Sequence, residues 1–245
     1  MPERIFLAGA SGAVGARLVP LLVAAGYGVF GTTRSAAKAR ALERAGATPV
    51  ILDVFDAADL MRAMVEIRPS IAIHQLTDLP PGLDPAGMAA ALPRNARIRD
   101  EGTRNLVAAS LASGAGRLIA QSIAWAYAPG SEPHAEEEPL DVEAADARGI
   151  TVRGVAALER QVLHTPGLDG VVLRYGQLYG PGTGFDSAAG KASPVHVDAA
   201  AAAAHLAIGK ARTGVFNVAE PNAHVATDKV RRALGWDHAF RLPSR

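Results

Sequence analysis

Near the N-terminus, Gly9-Ala10-Ser11-Gly12-Ala13-Val14-Gly15 stands between an apolar run, Ile5-Phe6-Leu7-Ala8, and a helical pattern of Leu18, Leu21, Leu22 and Ala25. Glycines at that junction allow a tight turn, close approach of backbone to a pyrophosphate, and close packing of helix on strand. A helix opening near Ala13 aims unpaired N–H groups and the positive end of its dipole at the loop. The pattern predicts a dinucleotide-binding turn made by Gly9, Ser11, Gly12, Ala13, Val14 and Gly15. An ordinary strand-to-helix turn is the plainer alternative, and the strand before and amphipathic helix after favour the nucleotide.

The end of the second strand bears on which nucleotide. A carboxylate there would bond the ribose 2′-hydroxyl of NAD. This chain instead reads Gly31-Thr32-Thr33-Arg34-Ser35, with no acid. The forked donors of Arg34 suit a 2′-phosphate, with the hydroxyls of Thr33 and Ser35 beside it. NADP is therefore expected, with NAD as the alternative.

Reduction of a carbonyl by hydride also needs a proton donor. Donors belong near the C-terminal ends of the strands, where open α/β sheets bind ligands. Tyr127, a few residues beyond the fifth apolar run, is the best placed, and Ser122 could hold a substrate oxygen. Against these stand plainer roles: an aromatic packed on the protein for Tyr127, a satisfied strand end for Ser122. Trp125 suits either an apolar pocket or the core. His74 and His196 read as structural histidines, and Arg174 as a buried charge that needs a partner. Asn95 and Arg99, four apart, share a helical face with Gly102 that meets either the cofactor pocket or a dimer interface. The histidines show no ligand spacing, so no metal site is expected.

These residues need a frame to hold them. Val29-Phe30, Val50-Ile51-Leu52, Ile71-Ala72-Ile73, Leu118-Ile119-Ala120 and Val171-Val172-Leu173 continue the strand series begun at Ile5. Helical patterns fall between them, at 36–45, 57–67, 86–112 with a break near Pro93, and 152–164. Strands apolar on both faces, alternating with helices, predict an α/β fold: a Rossmann-type doubly wound parallel sheet. The 245 residues fit one domain, 1–245, in which 176–245 form a small, reduced substrate-side portion. Glu136-Glu137-Glu138 reads as a solvated loop, Asp198 as the cap of a helix through six alanines, and Thr227 as the cap of a final short helix.

Composition removes whole classes of function. The chain is 49% hydrophobic, enough for a large core and too much for disorder. Its formal charge of +1 gives no basic excess for nucleic acid. The absence of cysteine excludes disulfides, thiolate nucleophiles and iron–sulfur clusters. No apolar run approaches the roughly 18 residues of a membrane span. Met1-Pro2-Glu3-Arg4 leads straight into a strand rather than a signal's apolar segment. A cytoplasmic protein that takes a small molecule, without membrane or nucleic-acid partner, is expected.

With these motifs in order, the chain resembles the short-chain dehydrogenase/reductase superfamily on its extended or atypical side, the NAD-dependent epimerase/dehydratase-like proteins. Gly9-x-x-Gly12-x-x-Gly15 is that group's spacing. Further matches are Glu101-Gly102-Thr103-Arg104-Asn105-Leu106, Leu173-Arg174 with Tyr179-Gly180-Pro181-Gly182, Val195-His196-Val197-Asp198 and Gly235-Trp236. The resemblance implies that Asp53 and Val54 contact the adenine ring. It places His74, Gln75 and Leu76 beside the nicotinamide ribose, and it implies a homodimer as one option.

The chain departs from the group at the chemistry. Active relatives carry Tyr-x-x-x-Lys, the Tyr as acid/base and the Lys lowering its pKa. Aligned through Glu159, those positions are Thr151 and Val155, and the partner Ser falls at Ile123 beside Ser122. Only 11 residues separate Gly182 from Pro194, where larger relatives clasp a nucleotide-sugar. The expectation is an NADP(H)-binding oxidoreductase-like protein acting on a small carbonyl or activated alkene, with Tyr127 or water as proton source. A non-catalytic NADP-binding sensor and an epimerase/dehydratase on a small sugar-like substrate are the alternatives.

Overall fold

The computed structural model describes residues 2–243; Met1, Ser244 and Arg245, the ends of the expected 1–245 domain, lie outside the described residues. Seven strands form one parallel sheet in the order β3-β2-β1-β4-β5-β6-β9. They are β1 (Arg4–Ala8), β2 (Gly28–Thr33), β3 (Thr48–Ile51), β4 (Ile71–His74), β5 (Arg117–Ile123), β6 (Asp169–Tyr175) and β9 (Gly214–Val218). Two short strands, β7 (Gln177–Tyr179) and β8 (Pro194–His196), pair separately.

Because side chains alternate along a strand, each strand feeds two cores. Ile5, Leu7, Ile73 and Leu173 face one cluster, which α1 (Ala13–Ala24), α2 (Ala36–Arg44), α7 (Val197–Lys210) and α8 (Asp228–Leu234) cover. Phe6, Ala72, Leu118 and Val172 face the other, covered by α3 (Ala57–Ile67), α5 (Thr103–Ser113) and α6 (Asp146–His164). This is the doubly wound parallel sheet that the apolar runs predict. β1 lies between β2 and β4, so the chain reverses direction across the sheet there and the C-terminal strand ends splay into a crevice.

The structure differs from the sequence reading at several points. The long helix does not break at Pro93. α4 (Pro85–Arg97) contains that proline, and the irregularity is a π turn at Ile98–Gly102 leading into α5. The turn lies where Gly102 passes Val54, whose side chain would sit 3.3 Å from an added Cβ. Asp198 does not cap α7. His196 occupies the cap and accepts from the Asp198 N–H, while the Asp198 carboxylate pairs with Arg17 of α1. Glu136 is not solvated: it is buried and accepts the Asn217 N–H at 2.9 Å. Thr227 stands at the α8 cap position without a side-chain bond. Much of 176–245 joins the main layers, β9 as a sheet strand and α7 and α8 as covering helices.

One buried ion pair ties these layers together. The Arg174 guanidinium on β6 donates twice to Glu159 of α6, Nε to Oε1 at 2.9 Å and Nη2 to Oε2 at 2.7 Å. The Ser122 hydroxyl of β5 donates to the same Oε1 at 2.7 Å, and Arg174 also reaches the Glu136 carbonyl. Burial alone would lower the Arg174 pKa, but the bonds and charge of Glu159 hold it above the ordinary value. Removing one partner strands the other charge in a dry site. Glu159→Gln is therefore expected to cost about 3–5 kcal/mol in urea unfolding, and the apolar pair Glu159→Leu with Arg174→Met to recover most of it.

Candidate functional site

The glycine loop after β1 has the form a pyrophosphate requires. Gly9 adopts φ +85° and its carbonyl accepts the Gly12 N–H at 3.0 Å. A Cβ at Gly9 would lie 2.6 Å from the Gln75 carbonyl oxygen, and one at Gly15 only 2.2 Å from the Gly9 oxygen. Both positions thus need glycine, the second because α1 packs directly on the turn. Gly12 caps α1 without a side chain, leaving the N–H groups of Ala13, Val14 and Gly15 free of intrahelical acceptors. The Val14 side chain itself lies in the core.

A cleft of about 290 Å³ opens over this loop. Its walls bring together Gly9, Ser11 and Gly12 with Thr33, Arg34 and Ser35 of the β2 end, Asp53 and Val54 beyond β3, and Gln75 and Leu76 beyond β4. Ser11 Oγ donates to Thr33 Oγ1 at 3.2 Å, joining the loop to the β2 end. Arg34 is exposed and makes no hydrogen bond or ion pair with a described residue; Lys38 of α2 lines the same end. Asp53 Oδ1 accepts the Phe55 N–H at 3.0 Å. At the other end Gln75 Nε2 donates to the Tyr175 hydroxyl at 3.3 Å, while its buried Oε1 has no partner. A bare glycine cradle, two uncommitted cations and an orphaned acceptor fit a nicotinamide dinucleotide.

His74 lies behind the cleft rather than on it. Its Nδ1 accepts the Leu76 N–H at 3.2 Å, so Nε2 carries the proton and donates to Thr103 Oγ1 at 3.1 Å. The ring thereby fixes the backbone at Leu76, which does line the cleft. Full burial, with the Arg99 charge adding to it, lowers the His74 pKa to about 4.

The two residues expected to do chemistry are held elsewhere. Tyr127 is 4% exposed, and its hydroxyl donates to Asn217 Oδ1 at 2.6 Å. Its ring stacks on His134 with centroids 5.0 Å apart and lies under Arg174. Burial raises its pKa, making it a poorer acid. Ser122 is committed to Glu159. The positions aligned with the Ser and Lys of active relatives are apolar: Ile123 and Val155 pack in one small cluster with Ala126 and Val152. At Thr151, aligned with the Tyr, the hydroxyl donates to the Ala147 carbonyl one turn back.

A second cleft of about 440 Å³ lies beyond β5 and β6, lined by Ala124, Trp125, Tyr127, His134, Arg148 and Gln177 among others. Trp125 is 43% exposed there, neither core nor closed pocket. Tyr175 connects the clefts, its hydroxyl to Gln75 and its carbonyl to the Ala124 N–H at 2.9 Å. Sequence reasoning passed over Lys38 and Gln177. Lys38 stands in the first turn of α2, four residues beyond Arg34, a closeness in sequence that could have drawn attention to it; nothing marked Gln177. Among the described residues, no group of three or more His, Asp or Glu side chains could hold a metal ion. No described helix is long and apolar enough to cross a membrane.

Comparison with known proteins agrees with this architecture. Residues 5–214 match the NAD dependent epimerase/dehydratase family. The chain is 40% identical to the 3-diazoavenalumate denitrifying reductase of a Streptomyces species, over 95% of this chain and 79% of that protein. Among solved structures it is similar to UDP-glucose 4-epimerase from Thermotoga maritima, with TM-score 0.78 and 19% identity over 98% of this chain and 94% of that one. A short-chain dehydrogenase/reductase superfamily protein from Agrobacterium tumefaciens, with bound NAD, gives TM-score 0.75 and 18% identity over 98% and 93% of the two chains. At such identities the structural likeness shows the fold.

The His74 geometry has a measurable consequence. Its folded pKa of about 4 lies below the ordinary 6.5. Between those values the unfolded chain binds a proton that the native one refuses, so this contribution to stability is full above the upper value and falls as pH drops towards the lower. Urea midpoints measured across that range should decline with acid in the wild type, and less steeply in His74→Gln.

Proposed function

The chain belongs to the NAD dependent epimerase/dehydratase family, and from that premise we propose that it is an NADP(H)-dependent reductase of a small electrophile that needs hydride but no delivered proton, an aromatic diazo compound. The observation that carries this reading is the apolar cluster of Ile123 and Val155 where active relatives place their Ser and Lys. A carbonyl reduced by hydride must also be protonated, and these positions offer nothing to do it. An arene diazonium differs. When it takes up hydride its C–N bond breaks, N2 departs, and the ring carbon keeps the hydrogen, so charge and atoms balance without an acid.

The reductase relative supports this chemistry, because its name describes removal of nitrogen from a diazo compound. At the dinucleotide cleft, the free N–H groups at the start of α1 would hold the pyrophosphate, and Arg34 with Lys38 the 2′-phosphate. Asp53 and Val54 would border the adenine. The orphaned Gln75 Oε1 would take a donor from the nicotinamide half, and Leu76 would border it. Bound there, the reduced dinucleotide supplies hydride. The substrate would enter from the Trp125 side, where an exposed indole offers an aromatic face. Tyr127 and Ser122 in this reading hold the wall of that side rather than move protons.

A paired experiment tests this. With NADPH and 2-diazophenol the protein should consume NADPH and release one N2 per NADPH, and 4-deuterated NADPH should leave deuterium on the ring. Tyr127→Phe should retain that turnover, and aldehydes and ketones should give none. In fluorescence titration, Arg34→Glu should weaken NADPH by about tenfold or more and leave NADH little changed. No N2 release above the enzyme-free rate would overturn the diazo reading, as would carbonyl turnover that Tyr127→Phe abolishes. Equal NADPH and NADH binding in the wild type would overturn the role of Arg34.

A further inference from the structure

The second cleft holds a buried side chain with one polar edge uncommitted. His134, 8% exposed, lines that cleft. Its backbone is locked to the segment 224–226: its N–H donates to the His224 carbonyl and its carbonyl accepts the Ala226 N–H, each at 2.9 Å. The ring is locked as well, stacked on Tyr127 and bonded through Nδ1 to Glu138 Oε2 at 2.6 Å. Glu138 is itself held, its Oε1 accepting the Ala135 N–H at 2.8 Å. Nε2, the other ring nitrogen, bonds no described residue and is not sealed from solvent, so it opens on the cleft that the residue lines.

The Glu138 bond decides what Nε2 offers. The His134 bond, and next the Ala135 N–H, hold the Glu138 carboxyl below the ordinary carboxylate range. An ionised carboxylate only accepts, so Nδ1 carries the ring proton and the neutral imidazole presents a lone pair at Nε2. The charges around it are matched among themselves. Glu132 pairs with His224 at 2.7 Å and Asp141 with Arg148 at 2.6 Å, all four on the same cleft. The buried Glu136 carboxylate takes the Asn217 N–H, and Arg174, over the Tyr127 ring, belongs to Glu159. With no unmatched charge there, the free acceptor suits a neutral donor, a hydroxyl group.

The remaining walls indicate what carries that hydroxyl. Ala124, Pro129, Val225 and the exposed indole of Trp125 give the cleft an apolar and partly aromatic lining. We propose that this cleft binds a hydroxyl-bearing aromatic ring, a phenol, with His134 Nε2 accepting its O–H and Trp125 offering the face it lies against. The proposal names the substrate class of the reductase reading and rests on that reading for the diazo group. One proton lies between the ring oxygen and Nε2. The oxygen carries it in an ordinary phenol, and Nε2 carries it where a diazo group makes the oxygen the stronger acid, so one contact serves the ring before and after N2 leaves. A ring lacking the hydroxyl would cover Nε2 and leave it unpaired, which makes the contact selective.

Unreactive probes test the contact without turnover. Calorimetry on the protein saturated with NADP would compare 4-methylphenol with 4-methylanisole, the same ring with its hydroxyl blocked. The wild type should bind the phenol about tenfold or more tighter than the ether. His134→Phe keeps a ring against Tyr127 and loses Nε2; it should bring the phenol down to the ether's affinity and leave the ether and NADPH unchanged. If that variant fails to fold, the wild type carries the test. Diethyl pyrocarbonate should acylate His134, located by peptide mass spectrometry, and 4-methylphenol should protect it where the ether at the same concentration does not. Equal binding of phenol and ether, or binding of neither, overturns the proposal. So does an equal loss of both in His134→Phe, which marks a structural role, or a His134 that the reagent does not reach or the phenol does not protect. Protein that binds the phenol through His134 yet releases no N2 loses the diazo reading and keeps the site. Protein that releases N2 from 2-diazophenol with an unaltered KM in His134→Phe keeps the reading and loses the site.

Discussion

The bidentate bond between Arg174 and Glu159 is the constraint on which the packing around β5, β6 and β9 depends. Two charges taken out of water are tolerable only if nearly every lone pair and N–H around them is satisfied. Here the satisfaction comes from three further elements: the Ser122 hydroxyl on β5, the Glu136 carbonyl in the loop beyond it, and the Tyr127 ring beneath the guanidinium. Glu136 in turn accepts the Asn217 N–H of β9, and Asn217 accepts the Tyr127 hydroxyl. One ion pair thus fixes α6, β5, β6, β9 and the intervening loop. It also explains why Ser122 and Tyr127, polar residues near strand ends, are held as structure.

The cofactor side rests on a different device, the removal of side chains. At Gly9 and Gly15 an added Cβ would meet backbone oxygen at 2.6 and 2.2 Å. These contacts cannot be relieved by a rotamer change, because backbone stands on both sides. The loop consequently keeps its N–H groups pointing away from its own side chains, and β1 lies at the reversal of strand order where helices cover opposite faces. Rigid packing around a turn bare of side chains holds those N–H groups in place, as an anion site requires.

Much of this was legible in the sequence because it follows from short periods. Runs such as Ile71-Ala72-Ile73 and Leu118-Ile119-Ala120 are buried on both faces, and the glycine spacing locates the turn. What escaped notice depends on long-range partners. Glu136 reads as one of three solvated acids until the fold brings Asn217 and Arg174 to it. β9, Gly-Val-Phe-Asn-Val, carries a buried asparagine where a strand core should be apolar, and that residue makes sense only beside Tyr127. The π turn is invisible to helical periodicity, and Pro93, the obvious breaker, is accommodated inside α4.

The same contrast bears on the chemistry. Aligned with active relatives, Thr151, Ile123 and Val155 stand where a proton relay would, and that alone is equally consistent with a dead enzyme or a different reaction. Packing shows what occupies those positions. Ile123, Ala126, Val152 and Val155 close into one apolar cluster, so none of these side chains could relay a proton. Under the proposed reaction the lack of a relay there is no handicap, because the bond change asks for hydride alone.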